Sequence, residues 1–194
     1  MSIFPKDYTV PTTGGGFMTF EDYNKVRILK APVIGTEYWV ELPDGSRKPK
    51  RVRVGVNVEV GEVALNKYGG LSISHWHGYA VYNYEEKKVQ VMNVTQKSIQ
   101  SALRNLDSNS DWGEPTKYDI EIRRQDDGKG YTVTPLPPKE LSKEIKEIIE
   151  NTRIYLENLY SSVNYPYGGN PFEEQMDKID VASLLEDDDI KLPF

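Results

Sequence analysis

The stretch WHGYAVYNYEEKKVQVMNVT, residues 76–95, sets the reading of the whole chain. It holds two alternating runs, Tyr79-Ala80-Val81-Tyr82-Asn83-Tyr84 and Val89-Gln90-Val91-Met92-Asn93-Val94, joined by Glu85-Glu86-Lys87-Lys88. Period-2 runs rich in Val and Tyr on either side of a short charged segment predict an antiparallel hairpin. Alternation along a strand sends Val81, Val89 and Val91 to one face and Tyr82, Tyr84 and Met92 to the other. The first face suits a core. The second is aromatic and flanked by lysines, a surface on which flat rings can stack, although tyrosines are also common in half-buried strands.

Upstream, Val26-Arg27-Ile28-Leu29 and Glu37-Tyr38-Trp39-Val40-Glu41-Leu42 have strand character. Ala31-Pro32 and Gly35 interrupt them, the mark of one long strand with a sharp bend. Pro43-Asp44-Gly45 is a turn. It opens a run holding Arg47, Lys48, Lys50, Arg51 and Arg53, which leads into the alternating strand Val54, Val56, Val58, Val60. Such a basic run is either a solvated loop or a phosphate contact, and its three arginines favour phosphate, whose geometry the guanidinium matches. His75 and His77 share one strand face, but two histidines fall short of the three or four ligands zinc takes, so they read as structural.

Downstream, Thr95 is an N-cap, and Ile99, Ala102, Leu103 and Leu106 recur at helical spacing. Tyr118 to Arg123 and Tyr131 to Pro135 form a second hairpin around Asp126-Asp127-Gly128-Lys129-Gly130. Residues 139–162 read as an amphipathic helix with Leu141, Ile145, Ile148, Ile149, Leu156 and Leu159 on one side, packed on the body. Residues 1–22, with Pro5, Pro11 and Gly14-Gly15-Gly16, read as a flexible arm, and 163–194 as linker and tail.

The 194-residue chain has no cysteine, which excludes disulfides and thiolate zinc sites and fits a reducing cytoplasm. No apolar run approaches the roughly 18 residues that span a bilayer, so the expectation is a cytoplasmic protein without membrane contact. The net charge of −6 is unevenly placed. Residues 173–194 carry eight acids and two bases, the entire excess, so the remaining body is neutral. An acidic end on a neutral body reads as an interaction tail. Nothing in the chain forms a nucleophile elbow, a phosphate-cradling loop or a clustered acidic motif within strands, so neither an enzyme nor a cofactor is expected.

The element order, strands then a helix then two strands across residues 23–138, is that of the OB-fold, a mainly β, five-stranded Greek-key barrel. Val81-Tyr82-Asn83-Tyr84, Val94 to Gln100, Trp112-Gly113-Glu114-Pro115-Thr116-Lys117-Tyr118-Asp119-Ile120 and Tyr131 to Pro135 together resemble the OB-fold single-stranded DNA-binding proteins of tailed bacteriophages. The terminal run Asp187-Asp188-Asp189-Ile190-Lys191-Leu192-Pro193-Phe194 is similar to the acidic tip of bacterial single-stranded DNA-binding proteins, Asp-Asp-Asp-Ile-Pro-Phe, with Lys191-Leu192 inserted. The resemblance implies a replication or recombination protein that coats single strands regardless of sequence. Trp39, Tyr82 and Tyr84, with Trp76 and Trp112, would be the stacking platforms. Arg47, Lys48, Lys50, Arg51, Arg53, Lys87, Lys88 and Arg123 would hold phosphates. Asp187, Asp188, Asp189, Ile190, Leu192, Pro193 and Phe194 would recruit a polymerase, helicase or primase. The competing reading is a protein-interaction adaptor, with the barrel as scaffold and the helix and tail as its working parts.

Overall fold

The computed structural model describes residues 16–175. The strands are β1 (Tyr23–Ile28), β2 (Val33–Glu41), β3 (Arg47–Arg53), β4 (Ile73–Asn83), β5 (Lys88–Val94), β6 (Asp119–Arg124) and β7 (Tyr131–Pro135). The helices are α1 (Lys97–Ser108) and α2 (Lys143–Glu150). All seven strands belong to one antiparallel sheet in the order β3-β2-β4-β1-β6-β7, with β5 on the second edge of β4. The sheet is open, for β5 and β7 do not pair.

The eleven-residue β4 is the spine. Its first half pairs with β2 and its last residues with β1, so β1 and β2 run along the same edge as one bent path. The bend falls at Ala31-Pro32, where proline has no N–H to give a ladder. The β4–β5 hairpin is as expected, closed by Lys87 at φ 54°. Its register corrects the faces, because Tyr82 lies opposite Val89 and Ala80 opposite Val91, while Val81 lies opposite Gln90 and Tyr79 opposite Met92. Directly opposed residues share a face. Val89 and Val91 therefore stand with Tyr82, and Val81 stands with Met92.

The two faces carry separate cores. The inner face packs Val26, Ile28, Tyr79, Val81, Met92, Ile120 and Ile122 beneath Ile99 and Leu103 of α1. This helix begins one residue later than expected, with Gln96 at the cap position and no side-chain cap. On the outer face Val33, Trp76, Ala80 and Val91 are covered by Leu156 and Leu159. These two leucines come from a 3₁₀ turn, Leu156–Leu159, and not from the long helix predicted over 139–162. The helix stops at Glu150 after eight residues and buries none of them. The apolar stripe is thus divided between a half-exposed helix and a buried strap.

Three further expectations change. Val54, Val56 and Val60 do not extend a strand, since the β2–β3 ladder ends at Gly35–Arg53 and Gly55 turns the chain at φ 85°; all three valines are exposed. The expected linker after residue 162 is docked. Gly169 N–H donates to Asn158 O at 2.6 Å, and Phe172 packs on the outer core. The arm docks from Gly16 onward, where Met18 is buried and donates to Val91 O at 2.8 Å. Residues 1–15 and the acidic end, with Asp187 to Phe194, lie outside the described residues.

Candidate nucleic-acid interface

The basic run forms edge strand β3, and pairing with β2 sorts its side chains by face. Arg47, Arg51 and Arg53 lie on the outer face opposite Glu41, Glu37 and Gly35, while Lys48 and Lys50 lie on the inner side opposite Val40 and Tyr38. Four of the five bases already hold a carboxylate: Arg47 on Glu41 at 3.0 Å, Lys50 on Glu62 at 2.8 Å, Arg51 on Glu37 at 2.8 Å, and Arg53 on Glu157. The bond to Glu62 raises the Lys50 pKa. Lys48 makes no ion pair among the described residues and sits 5.0 Å from the Tyr167 ring.

Burial separates these pairs. The Arg51–Glu37 side chains are 10% exposed on each side, and Arg51 stacks 5.0 Å from the Trp76 ring. That guanidinium is part of the interior, because removing one partner of a buried pair strands the other charge. Arg47–Glu41 and Arg53–Glu157 are open to water. Exposed pairs are worth about 0–1 kcal/mol, so a phosphate can take the place of either carboxylate. Between these two arginines stands Trp39, 39% exposed, with its cross-strand neighbour Pro49. Beyond it, Tyr160 lies half-buried beneath Arg53, whose guanidinium is 4.4 Å from the ring. Arginine and ring alternate along this edge.

No family model, curated protein or solved structure matches the chain. The interface rests on its own geometry.

The other predicted platforms are elsewhere. Trp76 is fully buried under the strap, with its indole N–H donated to Asn93 at 3.1 Å. Tyr82 is 4% exposed and meets Tyr84 edge-on at 5.1 Å. Tyr84 is half-buried and donates to Asp119 at 2.8 Å; burial first, and then this bond, raise its pKa. Asp119 also takes Arg27 at 2.7 Å and Lys25 at 3.5 Å, so this end of the outer face is a saturated polar cluster. Trp112 lies on the inner side, 5.7 Å from Tyr118. Lys87 is exposed in the hairpin turn, Lys88 holds Glu86 at 3.1 Å, and Arg123 holds Glu121 at 3.2 Å.

The structure thus brings Trp39, Arg47 and Arg53 together and separates them from Tyr82, Tyr84, Trp112, Lys87, Lys88 and Arg123. Sequence reasoning missed Tyr160, which nothing in a supposed helix end marks. It also missed the Tyr23, Lys25 and Arg27 row, which the strict alternation with Asn24, Val26 and Ile28 does signal. Among the described residues no helix is long and apolar enough to cross a membrane.

Proposed function

We propose that the chain binds single-stranded DNA without sequence preference along the outer edge of the β2–β3 hairpin, in the service of phage replication or recombination. The observation that carries this is the exposed Trp39 indole between two water-exposed arginines whose carboxylate partners are weakly held. Stacking on a ring plus phosphate contact needs no base-edge readout. The connectivity supports an OB-type reading: a bent first strand (β1 and β2), the β4–β5 hairpin, α1, then β6–β7, with β3 as an inserted edge. Asp187 to Asp189, Ile190, Leu192, Pro193 and Phe194 would then serve to recruit a polymerase, helicase or primase.

Titration of a labelled oligo-dT, followed by anisotropy and by quenching of tryptophan emission, tests the reading. Saturable binding that Trp39→Ala weakens is the expected result; binding at the same affinity by that variant removes the site. An adaptor role is the second reading, favoured by the exposed apolar side chains Leu65 and Leu71, paired across an isolated bridge, with Ile73 close behind in sequence, since apolar surface of this kind marks protein contacts.

A further inference from the structure

A cavity of about 610 Å³ opens on the inner side of the sheet where the β1–β2 bend meets α1. Its size falls within the roughly 300–1,000 Å³ of small-molecule sites. Ile28, Leu103 and Tyr79, all nearly fully buried, line it together with Pro32 and Pro115, which makes an apolar slot. Three sets of polar groups line it as well.

The first set is a hydrogen-bonding edge. Gln100 is 6% exposed, and its amide nitrogen donates to both His75 O and Val94 O at 2.9 Å. Two carbonyl acceptors fix the amide orientation and leave Oε1 as the free acceptor, which no donor among the described residues reaches. Beside it, Tyr79 hydroxyl meets His77 Nδ1 at 3.0 Å and His77 Nε2 meets His75 Nε2 at 3.0 Å. Burial, with His75 and Arg104 nearby, lowers the His77 pKa to about 4, so that ring is neutral at pH 7 and carries a single proton. Depending on which way the Tyr79 hydroxyl turns, the chain leaves His75 Nδ1 as a donor or as an acceptor. The second set is cationic, Arg104 and Lys30, of which Lys30 already donates to Ile154 O at 2.6 Å; the third is anionic, Asp107 and Glu114, of which Glu114 already holds Lys117 at 3.8 Å.

We infer that this cavity is a mononucleotide site. A simple anion would leave Asp107 and the amide unused, and a purely apolar ligand would leave Arg104 unused as well. A nucleotide has a flat apolar body for the slot, a donor edge for Gln100, a hydroxyl for Asp107 and a phosphate for Arg104. An edge that changes between donor and acceptor at His75 tolerates more than one base. The site faces away from the Trp39 edge and does not depend on strand binding there.

His75 and His77 are the only histidines in the chain, so their imidazole proton signals report on the cavity in the unlabelled full-length protein. Titration with AMP at pH 7 should shift both signals saturably. Adenosine should bind about tenfold or more weakly, the loss of about 1.4 kcal/mol of phosphate contact, and inorganic phosphate should leave both signals in place. Arg104→Glu, at an exposed position, should weaken AMP by a similar factor and leave adenosine unchanged. The inference is overturned if AMP at millimolar concentration moves neither signal, if inorganic phosphate reproduces the shifts, or if Arg104→Glu binds AMP as well as the native chain. Oligo-dT that moves the same two signals and is displaced by AMP assigns the source to a strand terminus instead of a free nucleotide, with the nucleotide class unchanged. Failure of oligo-dT to bind at the Trp39 edge bears on strand binding alone.

Discussion

Trp39 and Trp76 occupy the same face of neighbouring strands and have opposite fates. Trp39→Ala should leave the melting temperature in place and weaken oligo-dT by roughly 1–3 kcal/mol, the worth of one base on a ring. Trp76→Ala should cost about 3–5 kcal/mol of stability in denaturant unfolding, because a large core side chain is removed. The arginines divide in the same way. Arg47→Glu should lower DNA affinity for all sequences alike and reduce the slope of log K against log salt by roughly one contact, whereas Arg51→Ala should destabilise the fold. His77 gives a pH signature. Its folded pKa lies near 4, below the ordinary 6.5, so the unfolded chain takes up the proton first as pH falls. The contribution of His77 to stability should therefore be complete above about pH 6.5 and be lost between 6.5 and 4. Replacing His77 with Gln should flatten melting temperature between pH 7 and pH 5; an equally steep profile in the variant would show that the decline has another source. Composition and spacing identify these tryptophans and arginines as candidates but cannot divide them, since burial depends on what residues 154–172 cover.

At the level of elements, the strands were the most legible. Alternation located β5, β6, β7 and the second half of β4 to within a few residues, because period 2 follows from the pleat itself. Faces were harder: the hairpin's loop length sets the register, and a one-residue slip exchanges every side chain between faces. The helix over 139–162 was misread because Ile145, Ile149, Leu156 and Leu159 satisfy a helical spacing that the backbone does not follow past Asn151. This predicts a contrast. Leu159→Ala, at 1% exposure, should lose about 2–5 kcal/mol. Ile148→Asp, on the exposed side of α2, should stay within about 0.5 kcal/mol. Chemical denaturation of the two variants measures both. Gly78 belongs to the same packing. A Cβ there would stand 2.8 Å from the Trp76 ring and 3.0 Å from Leu159, so the strap approaches β4 only because that position carries no side chain.

For the molecule as a whole, charge is the property most directly readable from sequence, and under the proposed function it would govern approach to DNA. Residues 176–194 carry six acids and two bases. Their removal should tighten oligo-dT binding at low ionic strength and change it little at high salt, where the screening length shortens to a few ångströms. Anisotropy at two salt concentrations measures this, and equal affinities for both chains at low salt would refute it. The open sheet and the strap were not legible, because closure depends on pairings between distant strands for which composition carries no signal.

The strap also fixes an order of events during synthesis. Trp76, Val33, Ala80 and Val91 leave the ribosome well before Leu156 and Leu159 do, and until those two leucines emerge the outer face is uncovered. A nascent chain ending near residue 140 would thus carry a folded sheet with one wet apolar side, which is the kind of surface that aggregates or recruits a chaperone. The protein is complete as a solvent-tolerant body only when its final described residues arrive, so premature termination in this stretch should be penalised far more heavily than the loss of a surface loop.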